Sequence, residues 1–372
     1  MSTKMELARL STGDIAYRYD KSIVVFFKGK RKVLSTSVYN GGYHEEFSAV
    51  FNHDGTRGAG MPCELLADTY VEHMRLVAQR LGLNPDTVTG MGTAAHMENV
   101  SIKSLSYEDL TVTAIVTGGI ETNGGRVGDP AEYFKKLEKP DRPGTINIIL
   151  ALDTDMPPGT MARALVTCTE AKTAAIQELM EGSHYSNGLA TGSGTDQTIL
   201  IANPESPLYL DGAGKHSKLG ELIGKAVMAA VKEALDRQSG LNAVSQHDLL
   251  RRLQRFGVTE TSVWSDYQAM AKNTGLRKPL FLEQLYALKN DDTLVSYGVL
   301  YIHLYDEYLW GLLRWEEIQP VAERLLRIMA DYCGVTAPAI AWTADNGVME
   351  ALGQLLAVAV QAALGVKDGE PV

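Results

Sequence analysis

Short apolar runs rich in β-branched residues, set among glycines and threonines, fill the first part of the chain, and helical spacing dominates the last. Residues 14–19, 22–27 and 32–37 read as short strands, and their meander-like spacing predicts antiparallel neighbours. From 62 to 81 the pattern changes: Leu65, Leu66, Met74 and Val77 fall on one helical face, and Gly82 suits a stop. Strand-like runs return at 88–94, 100–105 and 110–117. The segment Thr145–Leu152, TINIILAL, is nearly all apolar, as a strand covered on both faces would be, and 198–202 is a second such run. Two long helices are predicted, at 157–180 and 216–237. The first carries a stripe of Met161, Leu165, Cys168, Ile176 and Leu179. The second carries Leu219, Leu222, Ile223, Ala226, Val227, Ala230, Val231 and Leu235.

Beyond Ser239 and Gly240 the pattern is almost purely helical, and all four tryptophans lie there. The expectation is an α/β (α+β) domain over 1–240, with a mixed or mostly antiparallel sheet layered with helices. An all-helical C-terminal domain would follow over 241–372. Its tyrosines Tyr297, Tyr301, Tyr305 and Tyr308 recur at helical spacing near Trp310 and Trp315, which suits core packing or a face shared between copies of the chain. At 372 residues, two domains are the natural expectation.

Charge narrows the partners. The net charge of −10 repels phosphate backbones, so nucleic acid is a poor partner. Residues 1–9 carry Lys4, Glu6 and Arg9 and do not resemble a signal peptide. The apolar stretch 348–366 is interrupted by Glu350, Gln354 and Gln361, which suits a buried helix better than a membrane span. Cys63, Cys168 and Cys333 are widely spaced, with no Cys-x-x-Cys pair. A cytoplasmic protein with free thiols and no membrane partner is expected.

Two phosphate-binding patterns fail. Gly212-Ala-Gly214-Lys215 lacks the outer residues of a P-loop. The run from Gly90 to Ala95 has dinucleotide-like glycine spacing but leads into strand-like sequence rather than a helix. The eight histidines include no pair at helix-face spacing, so no local metal site is expected.

Other segments are more informative. In ATGSGTDQ, residues 190–197, small residues would let backbone N–H groups approach a ligand, with Asp196 at the rim; the same acid could simply cap its own turn. Lys172 falls on the apolar stripe of the first long helix, where lysine either snorkels to solvent or points into a cleft. Glu170 lies on the other side of that helix. His216 and Lys218 open the second long helix, where a neutral imidazole could exchange protons. Asn147 lies inside the buried strand and must find partners. Asn40 and Asn123 occur in turn contexts that favour asparagine anyway.

Six segments, in order, resemble the adenosylcobinamide amidohydrolase family. They are VLSTSVYNGG at 33–42, GTAA at 92–95, PGTINI at 143–148, TEAKTAA at 169–175, ATGSGTD at 190–196 and KHSKLGE at 215–221. The resemblance covers roughly residues 14–235. It implies cleavage of the amide joining the corrin f side chain to aminopropanol. Adenosylcobyrate and 1-amino-2-propanol would be the products, in corrinoid salvage for cobalamin synthesis. The corrinoid is then the substrate, and no cofactor is expected.

Amide hydrolysis needs a nucleophile, an oxyanion site and a proton donor. Candidate catalytic residues are Asp196, Glu170, Lys172 and His216, with Asp196 or Glu170 as base and Lys172 or His216 as acid. Gly192, Ser193, Gly194 and Thr195, with Asn147 or Asn123, would hold the oxyanion. Asn40, Thr145 and Lys218 complete the expected substrate contacts. A covalent route through Thr195, Ser193 or Thr145 remains open. A corrinoid-binding protein without catalysis, a hydrolase of another amide, and a homo-oligomer also remain open.

Overall fold

The computed structural model describes residues 3–56, 63–131, 134, 144–270, 277–342 and 347–365. Internal contacts divide the chain into two compact units, Met1–Asn242 and Ala243–Val372.

In chain order, the strands of the first unit begin with β1 (Met5–Arg9), β2 (Ile15–Tyr19), β3 (Ser22–Phe26), β4 (Lys32–Ser35), β5 (Gly42–His44) and β6 (Ala49–Asp54). They continue with β7 (Val88–Thr93), β8 (Ser101–Tyr107), β9 (Leu110–Gly119), β10 (Gly124–Gly125), β11 (Thr145–Leu152), β12 (Gly192–Ser193) and β13 (Gln197–Ala202). Its helices are α1 (Tyr70–Arg80), α2 (Pro158–Glu178) and α3 (Lys218–Ser239). The two larger sheets run in the orders β1-β2-β3-β6-β7 and β5-β4-β13-β11-β9-β8, and β10 and β12 form a two-stranded ribbon. All neighbours are antiparallel except β6 with β7 and β11 with β13. The sheets are therefore mixed and mostly antiparallel, as the meander-like spacing of the strand runs predicted.

Side-chain alternation stacks these elements into four layers. Ile146, Ile148 and Leu150 of β11 face Met161 and Cys168 of α2 and Ile223 and Val227 of α3. The intervening Ile149 and Ala151 face Ile23, Val25 and Val50 of the first sheet. On that sheet's outer surface, Val24 and Phe51 pack on Met74 and Val77 of α1. TINIILAL is apolar at nearly every position because β11 is covered on both faces. Burial of each such Ile or Leu contributes about 1.5–3 kcal/mol.

Local chemistry shifted several helix boundaries. The expected helix over 62–81 starts only at Tyr70, because the Thr69 side chain caps it by accepting the Glu72 N–H. Leu65 and Leu66 are consequently left exposed, and Pro62 lies outside the described residues. Helix α2 ends where Met180, with φ 54°, takes the left-handed position that Gly182 was expected to supply. His216 precedes α3 altogether, since Ser217 is the cap. Strand β6 was not foreseen: Asn52, His53 and Asp54 interrupt its apolar run, yet its Asn52 and Asp54 are buried.

The second unit contains α4 (Leu249–Leu253), α5 (Glu260–Met270), α6 (Lys278–Lys289), α7 (Asp292–Leu309), α8 (Trp315–Tyr332) and α9 (Gly347–Ala363). Tyr301 and Tyr305 are buried in its core, and the Tyr301 hydroxyl donates to the Val348 carbonyl at 2.7 Å. Tyr308 packs on Trp315, which packs on Trp342. The tyrosine stripe is therefore core. No helix among the described residues is long and apolar enough to cross a membrane.

Candidate active site

Strands β11 and β13 lie parallel and start at the same end of the second sheet, with Asn147 level with Gln197. Just before β13, the strand β12 pairs with β10, and the chain then turns through Gly194 and Thr195 to Asp196. The Asp196 carboxylate organises this turn. Its Oδ1 accepts the Ser193 hydroxyl at 2.6 Å and the Ile146 N–H at 2.9 Å. Its Oδ2 accepts the Ser193 N–H at 3.1 Å and pairs with Lys172 Nζ. Lys172 and Asp196 are only 12% and 13% exposed. A lysine on the apolar stripe of α2 thus points inward to a carboxylate instead of reaching solvent.

Gly192 makes this contact sterically feasible. A Cβ there would overlap Asp196 Oδ2 and stand 2.6 Å from Lys172 Nζ. The neighbouring start of β11 is tied by hydroxyls. Thr145 Oγ1 and Thr195 Oγ1 are 2.6 Å apart, and Thr195 Oγ1 donates to the Gly144 carbonyl at 3.0 Å. Asn123 donates to the same carbonyl at 2.6 Å.

A cavity of about 710 Å³ opens beside the turn. Lys172 and Thr173 of α2, Gly192, Ser193, Gly194 and Asn123 line it, opposite Arg126, Asp129 and Tyr185. Sequence reasoning missed these last three. Burial acts to raise the Asp129 carboxyl pKa, but hydrogen bonds from Ser183, Ser186 and the Arg126 N–H outweigh it and hold the group below the ordinary carboxylate range. The run GGRVGD at 124–129 had a glycine-rich, charged signal that could have flagged two of the three.

Asn147 stands on the neighbouring strand but on the other face of the sheet. Its Nδ2 donates to Asn52 Oδ1 at 2.8 Å and to the Gly92 carbonyl at 3.1 Å, while Asn52 donates to Thr117 at 2.8 Å. The Asn147 Oδ1 is buried with no hydrogen-bond partner among the described residues. This polar seam sits between the two sheets. Asn147 does not line the Lys172 cavity.

Four other expected site residues lie elsewhere. Glu170 is exposed and salt-bridged to Lys215 at 2.9 Å, which draws its carboxyl below the ordinary range. It lines the groove between α2 and α3. Lys218 Nζ lies 4.5 Å over the Tyr107 ring, at the closed end of the β8–β9 hairpin where Tyr107 pairs with Leu110. His216, two residues earlier, is exposed at that same end. Thr117 and Asn147 pair at the hairpin's open end instead. Asn40, in a left-handed conformation at φ 47°, spends its amide on the carbonyls of Pro85 and Val88, both at 2.8 Å. It latches one loop to another. Cys168 is fully buried, and that burial pushes its thiol up to about 12.

Residues 7–243 match the adenosylcobinamide amidohydrolase family, and the chain belongs to it. It is 33% identical over 231 residues to an uncharacterised protein of Methanocaldococcus jannaschii, covering 59% of this chain and 87% of that one. It is 26% identical over 225 residues to a protein of Methanosarcina mazei described as an adenosylcobinamide amidohydrolase, covering 58% of this chain and 95% of the relative. The matched region ends at the boundary of the first unit, so α4 to α9 lie beyond it.

Proposed function

We propose that the protein hydrolyses the amide linking the corrin f side chain of adenosylcobinamide to aminopropanol. The products would be adenosylcobyrate and 1-amino-2-propanol, and the setting cytoplasmic corrinoid salvage. Beyond family membership, the observation that carries this reading is the array of Ser193, Asp196 and Lys172 beside a cavity of about 710 Å³. A cavity of that size suits an extended side chain and part of a larger ring system.

Asp196 Oδ1 already accepts the Ser193 hydroxyl at 2.6 Å, so the proton it is placed to receive is that of Ser193 and not of a free water molecule. Its hydrogen bond with the Ser193 hydroxyl favours the covalent route instead. In that route Ser193 Oγ adds to the amide carbon and its proton passes to Asp196 Oδ1. The C–N bond then breaks, and the amine leaves carrying a proton from Lys172. Water then adds to the resulting ester and gives a proton to Lys172, and the Ser193 oxygen leaves with the proton held by Asp196, which restores all three groups. The Gly194 N–H, at the cavity wall and not consumed by the Ser193 or Asp196 side chains, is the oxyanion donor in this reading.

The test is incubation of the purified chain with adenosylcobinamide and chromatography for adenosylcobyrate and aminopropanol. Product formation by the wild type, lost in Ser193→Ala, supports the route. Tight corrinoid binding without product would point to a non-catalytic binder. Full activity of Ser193→Ala would eliminate the serine ester.

A further inference from the structure

A second cavity, of about 440 Å³, lies on the outer side of the first sheet, between α1 and the ends of β3 and β6. Nothing in the proposed reaction uses it. Two imidazoles face each other across it, His53 from β6 and His73 from α1, with ring centroids 6.1 Å apart.

Their hydrogen bonds fix the proton of His73 and link that of His53 to the Ser22 hydroxyl. His73 Nδ1 accepts the Leu66 N–H at 3.0 Å, so its proton is on Nε2. His53 Nδ1 lies 2.8 Å from the Ser22 hydroxyl, and that hydroxyl donates onward to the Asp20 carbonyl at 3.2 Å. Both contacts form together in the tautomer with the proton on His53 Nδ1, and in that tautomer His53 Nε2 is an acceptor. Burial, with further lowering by the His73 charge, takes the His53 pKa down to about 4, and burial lowers His73 also. Both rings are neutral near pH 7. Neither makes another hydrogen bond among the described residues.

The two imidazoles stand above an apolar wall of Leu66, Val77 and Leu81, and Asp20, Lys21, Asp54, Glu64 and Arg80 complete the charged part of the lining. A metal does not suit it, because His73 Nδ1 is occupied and the described residues contain no group of three metal-ligating side chains. An anion would meet three carboxylates, Asp20, Asp54 and Glu64, beside the cations Lys21 and Arg80, and Lys21 is already paired with Asp54 at 3.4 Å. A hydroxyl pair suits it well: one hydroxyl donates to His53 Nε2 and the other accepts from His73 Nε2–H. The apolar wall then takes a flat, uncharged body. The volume lies within the range of sites for small organic ligands.

We propose that this cavity binds the ribose diol of a nucleoside, with the base against Leu66 and Val77. The same chemistry has two sources, a free nucleoside or the adenosyl group of a corrinoid. The second source rests on the function proposed above.

Calorimetric titration of the full chain with adenosine and with 2′,3′-dideoxyadenosine tests the site. The expected result is adenosine binding that weakens about tenfold or more without the diol, the scale of one or two hydrogen bonds. Leu66→Trp, at the partly exposed rim, and His73→Phe should each abolish that preference while circular dichroism stays native. Equal affinity for the two nucleosides, or no adenosine binding at millimolar concentration, overturns the proposal. The source is then assigned from kcat/KM for adenosylcobinamide relative to hydroxocobinamide. A ratio that falls in Leu66→Trp identifies the substrate's own adenosyl group, and an unchanged ratio identifies a free nucleoside. Failure of the wild type to hydrolyse either corrinoid would sink the proposed reaction but leave the titration result standing.

Discussion

Lys172 reaches across Gly192 to pair with Asp196, and the missing Cβ of that glycine is what leaves room for the contact. Helix and turn, 24 residues apart in sequence, meet at one charged point. The ammonium and carboxylate are both mostly buried, so removing either leaves the other costly to keep charged.

Gly192→Ala should therefore act like loss of the pair itself. The expected outcome is at least about a 100-fold fall in kcat/KM for adenosylcobinamide, the scale of losing one positioned electrostatic contact. Assay of aminopropanol release checks it. A variant with wild-type turnover would show that the pair is not needed for catalysis.

Lys172→Met and Asp196→Asn should both lower kcat by about 100-fold or more, with non-additive effects in the double variant, because the residues act as one unit. Additive losses would mean the two groups serve separate steps.

His216→Ala and Lys218→Ala should leave kcat and KM within about twofold of wild type, the scale of surface changes remote from chemistry. Both residues sit at the closed end of the β8–β9 hairpin, away from Asp196. Loss of turnover in either would return them to the site.

His53 makes stability depend on pH. Its folded pKa is about 4, below the ordinary 6.5, chiefly because it is buried. Below pH 6.5 the unfolded chain takes up a proton that the folded chain refuses. Stability is thus fully present above about 6.5 and declines as pH falls toward 4, by about 3 kcal/mol from this group. Urea unfolding at a series of pH values should show that slope, and His53→Gln should flatten it.

In the helical unit, Arg255 and Asp306 form a buried bidentate pair, with hydrogen bonds of 2.7 and 2.6 Å. Arg255→Met or Asp306→Leu alone should cost about 3–5 kcal/mol. The double replacement should recover most of that loss, as thermal unfolding would show.

Much of the fold was legible. β11 and its neighbours, α2 and α3 follow from runs whose period matches their burial, because each has one clear core-facing set. β6 was not legible, since Asn52 and Asp54 are buried polar residues whose partners come from other strands and turns. The site divided in the same way. The ATGSGTD turn and Lys172 stood out by composition and position. Arg126, Asp129 and Tyr185 did not, because their place in the cavity depends on how the β10–β12 ribbon folds against α2.

By itself, the sequence determined the layered α/β core, the helical tail and the glycine-rich turn, since periodicity and small residues act locally. Tertiary structure alone decided that Lys172 turns inward to Asp196, that Asn147 faces the other side of its strand, and that His216 and Lys218 lie at the far end of a hairpin. Those outcomes depend on which ends of the strands come together, and strand order is set by packing between segments far apart in the chain.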